Sequence, residues 1–276
     1  PTVLTIAGSD PSGGAGIEAD IKTITAFRCN AITCIDCLTV QSTLGVKFKH
    51  STTANTIQYI LNALQDRKID GVKCGMITSQ VLDHLPQFIK SNNVRNLVID
   101  PIISSTSGFT LSKIDLIKRS IRELYHYATL VSPNFNEALD ILSAMDVNHT
   151  YGDQEMTLET LKSLTKLSTM TLGCRAVLLK GGHMPCSFTD NGMMLDILYD
   201  AVTETFTIFS HPRLNGLKNT HGTGCTLSSS IAAGLANGEE LEKAVGDAIC
   251  YVHQGLVFAD PTIGEGNGPL NHGFKL

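Results

Sequence analysis

Apolar, β-rich runs alternate along this chain with segments of helical period, and most of the runs end in glycine or a polar residue. Val3 to Ala7 reads as a buried strand. Ile17, Ile21 and Ile24 follow at spacings of four and three, one face of a helix. Ala31 to Val40, Gly71 to Met76, Leu97 to Asp100, Thr129 to Ser132 and Ala176 to Lys180 read as further strands. Helical patterns lie near Asn55 to Leu64, Val81 to Ile89 and Ile114 to Tyr125. Met193 to Tyr199 and Thr203 to Phe209 alternate as a hairpin, and Thr223 to Ala236 and Leu241 to Phe258 read as two closing helices. Repeated strand–helix alternation predicts an α/β fold, a parallel sheet with helices on both faces. With no internal repeat, linker or low-complexity tract, residues 1–276 are expected to form a single domain. Ligands of such sheets bind beyond the carboxyl ends of the strands. The punctuation falls there: Gly8-Ser9-Asp10, Gly75-Met76, Asp100-Pro101, Pro133-Asn134 and Gly181-Gly182-His183.

Composition narrows the partners. The net charge is -5 and no basic cluster could track a phosphate backbone, so no nucleic-acid partner is expected. No apolar run approaches the roughly 20 residues of a membrane span, so no membrane association is expected. The chain runs from Pro1 straight into a strand-like segment, and no signal peptide is expected. The 8 cysteines, Cys29, Cys34, Cys37, Cys74, Cys174, Cys186, Cys225 and Cys250, lie mostly in apolar runs. They read as buried thiols of a reducing compartment, with the cytoplasm as the expected location. Cys34-Ile35-Asp36-Cys37 is a lone C-x-x-C without a second pair at zinc-ligand spacing.

The sharpest chemical signal is Asn219-Thr220-His221-Gly222-Thr223-Gly224-Cys225-Thr226. A glycine turn that feeds a helix places unpaired N–H groups and the positive end of the helix dipole at one point, an anion hole. Cys225 falls in the first turn, where that field is expected to lower a thiol pKa and let it take a proton from a substrate hydroxyl. The bland alternative is a helix cap with a buried cysteine.

A second glycine-rich junction is Gly8-Ser9-Asp10-Pro11-Ser12-Gly13-Gly14-Ala15-Gly16, closed by Asp20. Gly14, Gly16 and Ala19 fit G-x-G-x-x-A, with Asp36 about 20 residues beyond, as in dinucleotide-binding turns. Five residues separate Gly8 from Gly14, however, whereas that turn is tight. A loop closing around a small polar substrate accounts better for it. No G-x-x-x-x-G-K-[ST] is present, which excludes a P-loop enzyme. Asn134 and Glu137 match a capping box. They could equally place oxygen groups at a strand mouth to hold a metal, and Asp100 is a similar candidate. Lys180 closes an apolar strand, where a charge needs a partner, phosphate or carboxylate.

Taken in order, these segments resemble the ribokinase superfamily and, within it, the hydroxymethylpyrimidine/phosphomethylpyrimidine kinases of thiamin biosynthesis. The text that carries the resemblance is Leu4 to Asp20, Gln41, Lys73-Cys74-Gly75-Met76, Ser132 to Ala138, Lys180 to His183, Asn219 to Thr226, and Gly268-Pro269. It is closest to the fungal members whose chains carry a second, thiaminase-II-like domain, which is not expected within these 276 residues. The resemblance implies a three-layer αβα sandwich with a central, mostly parallel sheet. It also implies Mg-ATP-dependent phosphorylation of 4-amino-5-hydroxymethyl-2-methylpyrimidine and then of its monophosphate. It assigns the pyrimidine to Ala15, Asp20, Gln41 and Met76, the transferring phosphate to Gly222, Thr223 and Gly224, and the proton to Cys225. It assigns the nucleotide to Lys180 and Asn134 and Mg2+ to Asp100 and Glu137. A homodimer is implied. Two departures stand out: Ile249, or a neighbour, occupies the place of a bacterial lysine near the triphosphate, and Thr39 the place of an apolar residue beside the ring. Pyridoxal kinase activity, and a catalytically silent paralogue, are the alternatives.

Overall fold

The computed structural model describes residues 1–103, 114–151, 157–183 and 192–275. Its contacts divide the chain into two units, Pro1–Ser112 with Gly216–Leu276, and Lys113–Asn215.

In the first unit the strands β1 (Thr2–Ser9), β2 (Asn30–Ser42), β3 (Gly45–Ser51), β4 (Gly71–Cys74) and β5 (Leu97–Ile99) lie in the order β3-β2-β1-β4-β5. β1 pairs in parallel with β2 and with β4, and β4 with β5; only β3 runs antiparallel. β1 and β4 read as continuous apolar runs because nearly all their residues are buried, as parallel strands covered on both faces require. β3 escapes a pattern reading: Lys47, Phe48 and His50 lie exposed, and the strand is held by its backbone ladder to β2.

The helices of this unit include α1 (Gly16–Ala26), α2 (Ala54–Ala63), α3 (Ser79–Leu82) and α4 (Leu85–Ser91). The single helix expected over Val81 to Ile89 is therefore two. The chain breaks at His84, and Pro86, which lacks an N–H, opens the second helix. The expected stripe of α1 also shifts. Ile21 is exposed, and the inward face is Ile17, Asp20 and Ile24 with Ala19 and Thr23.

The second unit holds α5 (Ile114–Glu123), β6 (Leu130–Val131), α6 (Phe135–Ala144), α7 (Leu158–Leu172), β7 (Ala176–Leu179), β8 (Met193–Asp200) and β9 (Thr205–Pro212), with strand order β6-β7-β8-β9. β6 and β7 are parallel, and β8 and β9 form the expected hairpin. Phe135, Ala138 and Leu142 of α6 pack with Leu161 and Leu164 of α7 on Leu179 and Ile197. α7 was not legible from pattern because its window is rich in Thr and Ser, weak helix formers. Thr157 caps it, its side chain accepting from Thr160 N, and left-handed Gly173 ends it. The chain then returns to the first unit for α8 (Thr223–Ala236) and α9 (Leu241–Val257), which pack on each other, with α8 also against α1, β1, β4 and β5.

Candidate active site

Two glycine-rich junctions meet in the first unit. After β1 the chain loops through Asp10, whose side chain organises the loop. Its Oδ1 accepts from Ser12 N and Oγ, and its Oδ2 from Gly14 N and Ala15 N. Gly16 then opens α1 at φ +56, and a Cβ there would lie 2.1 Å from the Gly8 carbonyl oxygen. The second junction is His221-Gly222, seated on the C-terminal segment by His221 N donating to Gly268 O. Gly222 caps α8 at φ +84, and a Cβ would fall 1.8 Å from the carbonyl oxygen of Gly14. Each glycine is thus required by backbone approach as well as by its left-handed conformation.

The N–H groups of Thr223, Gly224 and Cys225 lie in the first turn of α8, where an α-helix offers them no internal acceptor. The backbone N–H of Gly16, the first residue of α1, also favours the ionised form of the Cys225 sulfur. Two helix N-termini therefore converge on one thiol, a stronger anion hole than the single turn legible in the sequence.

Cys225 itself is a correction. Rather than being lowered, its pKa is pushed up to about 11, because burial penalises the thiolate more than Lys73 stabilises it, and Asp20 and Asp100 add to the penalty. In the free protein the group is a thiol at neutral pH. The described cysteines are all free, and all but Cys250 are buried; Cys186 lies outside the described residues.

Beneath this centre lies a charge network in which Asp20, assigned by the resemblance to the pyrimidine, is engaged by Lys73, a residue to which the resemblance assigns no role. Lys73 is fully buried on β4, and its Nζ meets Asp20 Oδ1 at 2.9 Å and Oδ2 at 2.7 Å. Asp20 also accepts from Thr5 Oγ1 at 2.5 Å and Ser229 Oγ at 2.7 Å. Burial pulls the Lys73 ammonium down, but Asp20, Cys225 and Asp100 more than reverse this and hold it above its ordinary range. A lysine in the middle of the apolar run Gly71 to Met76 was the signal available in the sequence. Both Asp20 oxygens have internal partners and the residue is fully buried, so its reach is through Lys73 and Ser229.

The remaining candidates of this unit border the loop. Gln41, half-buried on β2, touches His221, whose Nε2 lies 3.0 Å from Asp10 Oδ2. The terminal methyl of Met76 and the Cys37 sulfur crowd Gly8, where a Cβ would lie within 3 Å of either. Ala15 is the N-cap residue of α1. Asp100, 2% exposed, follows β5. Ile249 is buried on α9 and brings no charge.

In the second unit Asn134 and Glu137 form a complete capping box: Glu137 N donates to Asn134 Oδ1 at 2.9 Å, and Asn134 N to Glu137 Oε2 at 2.7 Å. Lys180 Nζ stands 3.8 Å from the same Glu137 oxygen. The bland reading of this pair is therefore fulfilled, while the Lys180 ammonium remains partly accessible. No cluster of three or more His, Cys, Asp or Glu able to hold a metal occurs among the described residues, nor does any helix long and apolar enough to cross a membrane.

The phosphomethylpyrimidine kinase model matches residues 10–271, which takes in the first junction from Asp10 onward and the whole of the second. This chain belongs to that family. The kinase family's curated members include a hydroxymethylpyrimidine/phosphomethylpyrimidine kinase of Saccharomyces cerevisiae, 36% identical over 100% of this chain and 50% of its own length. A Salmonella typhimurium kinase of the same name is 34% identical, over 98% of this chain and 96% of its own. The chain thus spans about half the length of the yeast relative. Among solved structures, a Clostridium difficile phosphomethylpyrimidine kinase aligns with TM-score 0.74 at 31% identity, covering 92% of this chain and 98% of that one. An ADP complex of Bacillus subtilis pyridoxal kinase aligns with TM-score 0.81 at 27% identity, covering 98% and 96%. The fold is the expected α/β, ribokinase-like arrangement with a mostly parallel sheet.

Proposed function

We propose that this chain transfers the γ-phosphoryl group of ATP to the hydroxymethyl group of 4-amino-5-hydroxymethyl-2-methylpyrimidine, and then to the resulting monophosphate, for thiamin biosynthesis. The observation that carries this reading is the meeting of the α1 and α8 N-termini at Cys225, beside Gln41, in a member of the phosphomethylpyrimidine kinase family. Phosphoryl transfer asks chiefly for positioning and charge stabilisation. The N–H groups of Gly222, Thr223 and Gly224 are assigned to the developing phosphate charge. Cys225 is assigned to the substrate hydroxyl as general base in its thiolate form, which requires the thiol of the free protein to give up its own proton before it takes that of the hydroxyl. Gln41 pairs with the aminopyrimidine edge, Met76 packs on the ring, Ala15 borders it, and Asp20 acts by holding Lys73 beneath the centre.

On the second unit, Lys180 and Asn134 are assigned to the nucleotide; ATP as the phosphoryl donor is supported by the ADP complex of the Bacillus subtilis relative. Asp100 and Glu137, hard oxygen donors of the kind Mg2+ takes together with nucleotide phosphates, are assigned to the metal. When bound, Mg2+ neutralises charge on the phosphates. Residues 1–276 serve this reaction as one kinase domain, in the cytoplasm. A homodimer is favoured by the apolar face that exposed Leu38, Val40 and Phe48 leave on β2 and β3, with Val40 and Phe48 directly paired across the strands.

The test is to incubate the protein with Mg-ATP and either the aminopyrimidine alcohol or pyridoxal, following ADP and phosphorylated product. Product from the aminopyrimidine supports this reading. Product from pyridoxal alone supports the second reading, which the overlap with pyridoxal kinases motivates, and no product from either supports a silent paralogue.

A further inference from the structure

Gln41 stands in a hydrogen-bond network whose polarity can be worked out atom by atom. Its amide nitrogen is placed 2.8 Å from His221 Nε2, and its oxygen 3.3 Å from Thr39 Oγ1. The two ends of a carboxamide are isosteric, so the network, not the shape, decides which end points where. The deciding group is Asp10. Its carboxylate accepts two donors on Oδ1, from Ser12 N and Oγ, and two on Oδ2, from Gly14 N and Ala15 N, before His221 is counted. Such a carboxylate is an acceptor only, and His221 Nε2, 3.0 Å from Oδ2, must carry a hydrogen to face it. This holds whether the ring is neutral or cationic. A protonated Nε2 cannot accept from the Gln41 amino group, so the atom facing it at 2.8 Å has to be the amide oxygen, which shares the single Nε2 hydrogen with Asp10 in a bifurcated bond.

Thr39 requires the same orientation independently. Its hydroxyl hydrogen is engaged by the Ser9 carbonyl oxygen at 2.8 Å, which leaves its oxygen as an acceptor toward Gln41. The amide end facing Thr39 is therefore the nitrogen.

We infer that Asp10-His221 and Thr39 lock the Gln41 amide with its oxygen toward His221 and its nitrogen toward Thr39, which makes His221 and Thr39 positioning residues that determine ring specificity. With both flanks held, the amide keeps one N–H and one oxygen lone pair side by side. That pair matches a ring edge presenting an amino group next to a ring nitrogen, the amino group on the His221 side. It opposes the reversed edge of a 4-oxo ring, in which a carbonyl stands next to a ring N–H. The inference rests on the assignment of Gln41 to the pyrimidine, and it extends that assignment to the direction in which the ring is read.

The experiment compares kcat/KM for the aminopyrimidine alcohol with that for its 4-oxo counterpart, in the parent protein, Thr39→Val and Thr39→Ser. Loss of the amide's acceptor in Thr39→Val is expected to lower the amino-over-oxo preference about tenfold, the worth of one such hydrogen bond. Thr39→Ser, which keeps the hydroxyl, is expected to restore it. A preference unmoved in Thr39→Val, or lowered equally in Thr39→Ser, overturns the lock. Nitrogen-15 NMR of histidine-labelled protein supplies a readout that needs no turnover. The His221 resonance, assigned by its loss in His221→Asn, is expected to show a protonated Nε2, and a bare Nε2 overturns the proposal. If the parent phosphorylates neither ring, the functional reading fails, and the histidine spectrum alone decides the lock.

Discussion

Lys73 Nζ lies 2.7 Å from Asp20 Oδ2, and both side chains are wholly shielded from solvent. A buried ion pair of this kind is weak evidence for stability, but breaking it strands a charge in the core. Asp20→Ala is expected to lower unfolding free energy by about 3–5 kcal/mol in urea titrations. A paired Asp20→Leu, Lys73→Met variant is expected to recover most of that loss while phosphoryl transfer stays impaired. Full activity in the paired variant would remove the network from the reaction.

At Gly222 the backbone has no room for a side chain. Gly222→Ala places a methyl group against the Gly14 carbonyl at a left-handed φ of +84, a strain of about 1–3 kcal/mol. The two helix N-termini must then separate, and kcat is expected to fall more than the Tm shift alone explains. Steady-state kinetics well below the unfolding transition would reveal it.

Cys225 and Cys250 offer an internal comparison. Cys250 is exposed, whereas Cys225 is buried with its pKa pushed up to about 11. Iodoacetamide at pH 7.5 is expected to label Cys250 first, as read by peptide mass spectrometry, because the thiolate is the nucleophile. If Cys225 acts as a general base through its thiolate, Cys225→Ala is expected to cut kcat by about a hundredfold, and Cys225→Asp to keep measurable activity. An unchanged rate in Cys225→Ala would leave the helix termini acting alone.

Asp36, fully buried on β2, has its carboxyl pushed up to about 7 by burial, against weaker opposing contributions. An unfolded aspartate titrates near 3.9. The folded state therefore holds the extra proton between about pH 4 and pH 7, and this group's contribution to stability is lost as pH rises through that window. Asp36→Asn, which cannot ionise, is expected to gain on the parent in urea midpoints as pH is raised from 4.5 to 8. A constant difference across that range would show that Asp36 ionises normally.

The Asn134–Glu137 capping box separates a structural from a nucleotide role. Asn134→Ser keeps a capping oxygen and should preserve stability, whereas Asn134→Ala is expected to lose about 1 kcal/mol. If Asn134 also contacts nucleotide, both variants should raise the KM for ATP.

What was legible in the sequence was whatever depends on neighbours along the chain. The strand–helix alternation, the glycine turn before α8, the capping box and the β8–β9 hairpin are all set by local periodicity, turn chemistry and caps. Elements without such a mark, exposed β3 and Thr-rich α7, were missed for the same reason. Tertiary structure decided what depends on contacts distant in sequence. It placed Asp20 rather than Ile21 on the inner face of α1, because Lys73, 53 residues on, needs a counter-charge in the core. It brought the N-terminus of α1 to the sulfur at the start of α8, and it turned Cys225 from an expected low-pKa thiol into a protonated one. Burial is a property of the packed interior, and desolvation there outweighs the helix field that the local sequence displays.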